Sequence, residues 1–276
     1  MATTLQPAAG EGTKQLINYR VDGGVAVIEM NDPPANTYTY EMNRQFDEAI
    51  LKARMANDVY VIVLTGAGEK FFSAGANIKM LSSVDPTFKY YFCLHANEML
   101  LRLEHTPKLV VAAINGHCVG GGLELALACD LRIARAGDYQ VGLPEVALGI
   151  MPGMGGTQRL TRLVGKSRAM ELVVEGQNIA MDGAQEAGLV HKVWTTASNE
   201  DFLAQVTEYA HEFCPPTRSA LAVGQIKRAI QSSSEVPLDQ GLALERELQQ
   251  RLFASQDAKE GFAAFVQKRD ALFRGR

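Results

Sequence analysis

The stretch Leu109-Val110-Val111-Ala112-Ala113-Ile114-Asn115-Gly116-His117-Cys118-Val119-Gly120-Gly121-Gly122-Leu123-Glu124-Leu125-Ala126 decides the fold. Its first six residues are continuously apolar, the pattern of a parallel strand covered on both faces. A glycine-rich turn follows, and then a helix expected from about Leu123 to Cys129. The same order stands upstream. Val59-Tyr60-Val61-Ile62-Val63-Leu64 runs into Thr65-Gly66-Ala67-Gly68 and on through Ser73-Ala74-Gly75-Ala76-Asn77. Buried strand, glycine turn and helix in repetition make an α/β chain.

Toward the N-terminus, Gly23-Gly24 precedes a short strand, Val25 to Ile28. A helix is expected from about Tyr40 to Arg54, where Met42, Phe46, Ala49, Ile50 and Ala53 recur at helical spacing. With the strand at 59–64, the simplest reading is a βαβ unit. A further helix follows Pro86, carries Leu100, Leu101 and Leu103, and closes at Pro107. Toward the C-terminus, short strands are expected at Leu131–Ala134 and Tyr139–Val141, a loop at 149–156 and a helix from Thr157. Beyond Val190 to Trp194 glycine thins out, and helical segments follow near 199–213, 217–231, 238–254 and 259–273. This divides the chain into a flexible tail (1–13), an α/β core (14–198) and a helical C-terminal region (199–276).

Composition narrows the function. At 276 residues, 47% hydrophobic and 21% charged, the chain can bury a core, and intrinsic disorder is excluded. A net charge of −4 argues against general affinity for nucleic acid or an anionic membrane. No apolar run is long enough to span a bilayer. Cys93, Cys118, Cys129 and Cys214 lack metal or disulfide spacing, so reduced thiols in a cytoplasmic protein are expected. The 25 glycines exceed the average share of about 7%.

Glycine turns matter chemically because small residues let backbone N–H groups approach a ligand. Ala74-Gly75-Ala76 and Gly120-Gly121-Gly122 each follow a buried strand, and two such turns side by side could aim N–H donors at one carbonyl oxygen. Glu124 follows the second turn; as a first-turn carboxylate it would complement the helix dipole, yet its neighbours are apolar. Glu145, in Gly142-Leu143-Pro144-Glu145-Val146-Ala147-Leu148, is likewise a lone charge among apolar residues. Paired carboxylates can orient a water and pass protons both ways. No nucleophile elbow, phosphate-binding loop or dinucleotide fingerprint is present. The five histidines show no metal spacing, and His117 reads as a packed turn residue.

Five motifs taken together resemble the crotonase family, and within it the enoyl-CoA hydratases: Ser73 to Lys79, Asn115 to Ala126, Leu143-Pro144-Glu145, Pro152 to Leu160 and Ala187 to Val190. The resemblance runs from about Tyr19 to Phe273. It implies a crotonase (ClpP/crotonase-like) spiral of β-β-α repeats, in place of plain βαβ, with C-terminal helices that build a homotrimer, often paired into a homohexamer. It implies hydration of the C2–C3 double bond of a 2-enoyl-CoA to a 3-hydroxyacyl-CoA, as in fatty-acid β-oxidation. Ala76 and Gly121 then donate the oxyanion-hole N–H groups, with Glu124 as base and Glu145 as acid. Ala35, Ala74, Asn77, Ile78, Gly120 and Pro144 are the substrate-binding positions, with Lys79, Lys268 and Arg269 as candidates for the CoA phosphates. No metal or separate cofactor is implied, coenzyme A being part of the substrate. Isomerisation of an enoyl-CoA, or hydration of branched, cyclic or dienoyl-CoA, is the alternative within the family. RNA binding, known for one member, is disfavoured by the net charge.

The chain departs from the family pattern in three places. Asn77 stands where many hydratases have Asp. Glu145 lies 21 positions after Glu124 (145 − 124), one more than in the mitochondrial short-chain enzyme, and the extra residue is placed in Ala136-Gly137-Asp138. The segment Asn31 to Tyr40, with Pro33-Pro34, Tyr38 and Tyr40, replaces the usual Arg-Pro-Lys type that lies near the CoA adenine.

Overall fold

A computed structural model describes residues 14–275, and the tail expected at 1–13 lies outside the described residues. Strands β1 (Ile17–Asp22) and β2 (Val25–Met30) form an antiparallel hairpin across Gly23 and Gly24, both at positive φ. The sheet continues in parallel through β3 (Val61–Gly66), β5 (Leu109–Ile114), β7 (Leu131–Arg135) and β10 (Lys192–Trp194). A second sheet has the order β4 (Phe71–Ser73), β6 (His117–Val119), β8 (Gln140–Gly142) and β9 (Asn178–Ala180), the last antiparallel. Helices α1 (Tyr40–Met55), α2 (Ile78–Leu81), α3 (Pro86–Glu104), α4 (Gly121–Leu127), α5 (Gly156–Val164), α6 (Lys166–Val174) and α7 (Met181–Glu186) are interleaved with the strands. Helices α8 (Asn199–His211), α9 (Ala220–Ser232), α10 (Leu238–Phe253) and α11 (Gln256–Gln267) follow them.

The plain βαβ reading is corrected by the pairs β3/β4, β5/β6 and β7/β8, each of which puts its first strand in the larger sheet and its second in the smaller. The short strands β4 and β6 lie within stretches that read as turns. Their close approach requires glycine: a Cβ on Gly66 would lie 2.2 Å from the Phe72 carbonyl oxygen, and one on Gly116 would lie 2.4 Å from that of Lys70. The Asn115 carboxamide locks the crossing, accepting from Gly66 N (3.2 Å) and donating to the carbonyls of Gly66 (2.7 Å) and Gly68 (3.1 Å). These repeats follow the β-β-α pattern that the resemblance implies. The turn at 136–138 joins β7 to β8.

The larger sheet buries both faces, and the alternation of side chains sorts its residues between them. Ala26, Ile28, Ile62, Leu64, Val110 and Ala112 face the main core with α1 and α3. Val25, Val27, Val61, Val63, Val111, Ala113 and Ile133 face Phe202, Val206 and Ala210 of α8. Each such large side chain contributes roughly 1.5–3 kcal/mol by leaving water. Helix α9 is riveted to the sheet by a buried ion pair, Lys227 Nζ to Asp130 Oδ2 at 2.8 Å, while Asp130 also accepts from Val110 N at 2.7 Å. Lys227 donates as well to the Lys108 carbonyl at 3.0 Å.

Helix α10 and helix α11 leave Leu238, Phe253, Phe262, Phe265 and Val266 exposed. The last helix stops at Gln267, short of the expected 273, because Lys268 turns into the left-handed region (φ 53°). Helix α4 starts two residues early, at Gly121, and ends at Leu127. Among the described residues no helix is long and apolar enough to cross a membrane.

Candidate active site

The turn after β4 is held from both sides. Ser73 Oγ donates to the Asn36 carbonyl (2.8 Å) and accepts from Gly75 N (3.1 Å), and Ala74 N donates to the Ala35 carbonyl (2.9 Å). Tyr38 bridges the same turn, its N–H reaching the Gly75 carbonyl and its own carbonyl accepting from Asn77 N, both at 3.0 Å. These bonds take the N–H groups on either side of Ala76 and leave that of Ala76 free. Helix α4 begins against this turn, since a Cβ on Gly75 (φ 85°) would come within 2.7 Å of Gly121 N. The Gly121 N–H has no intrahelical acceptor, being at a helix start. Among the described residues, neither Ala76 N–H nor Gly121 N–H donates to a protein acceptor.

Both turns open on a cavity of about 100 Å³, lined by Ala74, Ala76, Ile78, Gly120, Gly121, Glu124, Pro144 and Glu145. Its walls also include residues that sequence reasoning did not select as site residues, among them Tyr38, Leu81, Lys89, Phe92, Cys93, Met151 and Met154. Most come from α2 and α3 or from the loop before α5. Helix α3 reads as core from its leucines, whereas its face at Lys89, Phe92 and Cys93 lies over the cavity. Ala35, Asn77, Lys79 and Lys268 do not line it. Ala35 contributes the backbone acceptor for Ala74, and Asn77 caps α2, its Oδ1 accepting from Met80 N at 2.9 Å and its Nδ2 donating to Thr37. Lys79, Lys268 and Arg269 are exposed.

The two glutamates sit in different settings. Glu124 is 2% exposed, and its Oε1 accepts from Met154 N and Gly156 N, both at 2.7 Å. It therefore clamps the loop before α5 rather than complementing its own helix. That loop is braced behind by Arg159, whose Nε and Nη2 donate to the two Glu104 carboxylate oxygens and whose Nη1 donates to the Met154 carbonyl at 2.7 Å. Burial raises the Glu124 pKa, opposed by the backbone donors and by Arg159. Glu145 opens a 3-10 turn (Glu145–Leu148), and its Oε2 is buried with no hydrogen-bond partner among the described residues. Burial, reinforced by the negative charge of Glu124 and opposed by Lys89, pushes the Glu145 pKa up to about 7.

His117 accepts from Gln140 N at 3.1 Å and packs between Phe71 and Tyr139, as its turn position suggested. Cys118, Cys129 and Cys214 are buried, and all four cysteines are free thiols.

Known proteins match the chain along nearly its whole length. The family model for enoyl-CoA hydratase/isomerase matches residues 20–276. The short-chain-enoyl-CoA hydratase of Clostridium acetobutylicum is 38% identical over 249 residues, 90% of this chain and 93% of that protein. The 2,3-dehydroadipyl-CoA hydratase of Escherichia coli is 37% identical, covering 91% of this chain and 95% of that one. A crystal structure of an enoyl-CoA hydratase from Geobacillus kaustophilus superposes with a TM-score of 0.91 at 41% identity, over 96% of this chain and 98% of that one. The chain belongs to the enoyl-CoA hydratase/isomerase family and is a crotonase-fold enzyme of the hydro-lyase class.

Proposed function

We propose that this chain adds water across the C2–C3 double bond of a 2-enoyl-CoA thioester to give a 3-hydroxyacyl-CoA. The observation that carries the reading is the convergence of Glu124 and Glu145 on one cavity with the two turns whose N–H groups lack protein acceptors. Attack of water at C3 builds negative charge on the thioester oxygen. Ala76 N–H and Gly121 N–H stabilise it, each such donor being worth on the order of 10²–10³ in rate. Glu124, its carboxylate favoured by two backbone donors, takes the proton from the attacking water. Glu145, with a pKa near 7, holds a proton in much of the population at neutral pH and delivers it to C2.

The reaction is redox-neutral, and the chain supplies both proton carriers; coenzyme A arrives with the substrate. The apolar walls beside the small turns, Ile78, Leu81, Phe92, Met151 and Met154, suit an acyl chain such as those handled in fatty-acid β-oxidation. The exposed apolar residues of α10 and α11 support assembly into a homotrimer or homohexamer, with 199–276 as the assembling region and 14–198 as the catalytic core. Free thiols support a cytoplasmic setting. The test is loss of the conjugated-thioester absorbance with crotonyl-CoA and with longer and branched enoyl-CoAs. Turnover of at least one is expected, and inactivity across the panel would overturn the reading.

A further inference from the structure

Tyr38 belongs to neither glycine turn, yet it touches both. Its backbone is hydrogen-bonded on each side of Ala76, and its ring reaches across to helix α4: a Cβ on Gly121 would lie 1.4 Å from the Tyr38 hydroxyl oxygen. The ring is held in place from behind by Phe92, at 6.2 Å between centroids and 27° between planes. The residue is 5% exposed and its side chain lines the active cavity. Only burial and neighbouring charges act on the hydroxyl, and no hydrogen bond to it is found among the described residues. A phenylalanine would fill this place equally well against Phe92. The oxygen is therefore an unexplained polar atom beside Gly121, on the cavity that Gly121 and Ala76 both line.

Resting on the hydratase reading above, we propose that the Tyr38 hydroxyl is a third hydrogen-bond donor to the thioester carbonyl oxygen, beside Ala76 N–H and Gly121 N–H. No proton is transferred: the O–H bond stays intact and the hydrogen bond shortens as charge gathers on the oxygen. Burial and the two nearby glutamates hold the phenol in its neutral form, well above its ordinary 10.0, which keeps it a donor. Tyr38 thereby becomes a catalytic residue that a glycine-turn reading cannot find. The segment Asn31 to Tyr40, which departs from the family pattern, acquires a role at the reacting carbonyl rather than at the nucleotide.

The test is Tyr38→Phe, which removes one oxygen and keeps the ring. Two readouts are taken with the full chain: turnover of crotonyl-CoA, and the red shift of 2,4-hexadienoyl-CoA absorbance on binding, which reports polarisation of the carbonyl. We expect kcat to fall about 10- to 100-fold with KM nearly unchanged, less than the roughly 10²–10³ typical of a principal donor, and the red shift to shrink. Unchanged kcat and unchanged shift would overturn the proposal. So would a raised KM or altered chain-length preference with the shift intact, which would make the ring only a wall. A displaced pH profile with the shift intact would place the hydroxyl on a glutamate instead, and would also overturn it. Failure of the proposal is distinguishable from failure of the hydratase reading: in the first case the wild type turns over and shifts the dienoyl spectrum normally, and in the second it does neither.

Discussion

Helix α4 and the turn at 145–148 each present one glutamate to the same cavity, and they do so by opposite means. On α4 every residue is buried, and the Glu124 carboxylate is fixed by two backbone donors at 2.7 Å. In the 3-10 turn no residue is fully buried, and Glu145 leaves one carboxylate oxygen without a donor. Hydrogen bonds favour a charged carboxylate, and burial without them favours the acid. On the proposed reading, two identical side chains are thus prepared for opposite halves of one proton-transfer cycle by differences in burial, backbone donors and neighbouring charge.

The contrast is broken most severely at Glu124. Glu124→Gln is expected to lower kcat by about 10³–10⁴, near the upper range for a general base, and also to loosen the loop at 153–156. Steady-state kinetics with crotonyl-CoA, together with the melting temperature, would measure both effects. Glu145→Gln should lower kcat by about 10²–10³, with the fold intact because its unpartnered oxygen forfeits no hydrogen bond. Equal melting losses for the two variants would erase the difference between the regions.

The pH dependence sharpens the same point. With Glu145 as the acid, kcat/KM of the wild type should decline as pH rises through about 7. A flat profile across that range would remove Glu145 from the acid role. The smallest effect is on stability. The folded pKa of Glu145 lies above its ordinary 4.5, so the folded chain keeps a proton that the unfolded chain releases. Its contribution to stability is fully present below about 4.5 and is lost as pH rises through about 7. Glu145→Gln should therefore melt higher than wild type at about pH 8, a difference that shrinks toward about pH 5. Differential scanning calorimetry at the two values would read it, and a variant no more stable at the higher value would contradict the assignment.

Much of this site was legible because its parts are continuous in sequence. A strand, a glycine turn and a carboxylate within 109–126, with the matching turn at 74–76, marked candidate backbone donors and a candidate proton carrier, while the choice of Ala76, Gly121 and the role of Glu124 came from the family resemblance. The crossing of each strand pair between two sheets was not legible from periodicity, since β4 and β6 are three residues long and rich in turn signals. The family resemblance supplied that correction. Lys89, Phe92 and Cys93 escaped because α3 carries apolar residues on more than one face, so its spacing does not distinguish a wall of the cavity from core. Asn77 drew attention as a departure from the family, and its carboxamide is used in capping α2. Tyr38 carried a visible signal, a tyrosine in an unusual segment, whose meaning depended on a contact with Gly121 more than eighty positions away.

The Lys227–Asp130 pair has a consequence for how the molecule opens. Withdrawing α9 would strand a buried carboxylate beside the first residues of β5, and withdrawing α8 would wet one whole face of the larger sheet. Amides of β3, β5 and α8 should accordingly exchange with solvent deuterium through a single shared opening, while those of α11, whose outer face is bare, exchange sooner. Helices α8 and α9 and the parallel sheet would then behave as one cooperative block, whatever their difference in composition.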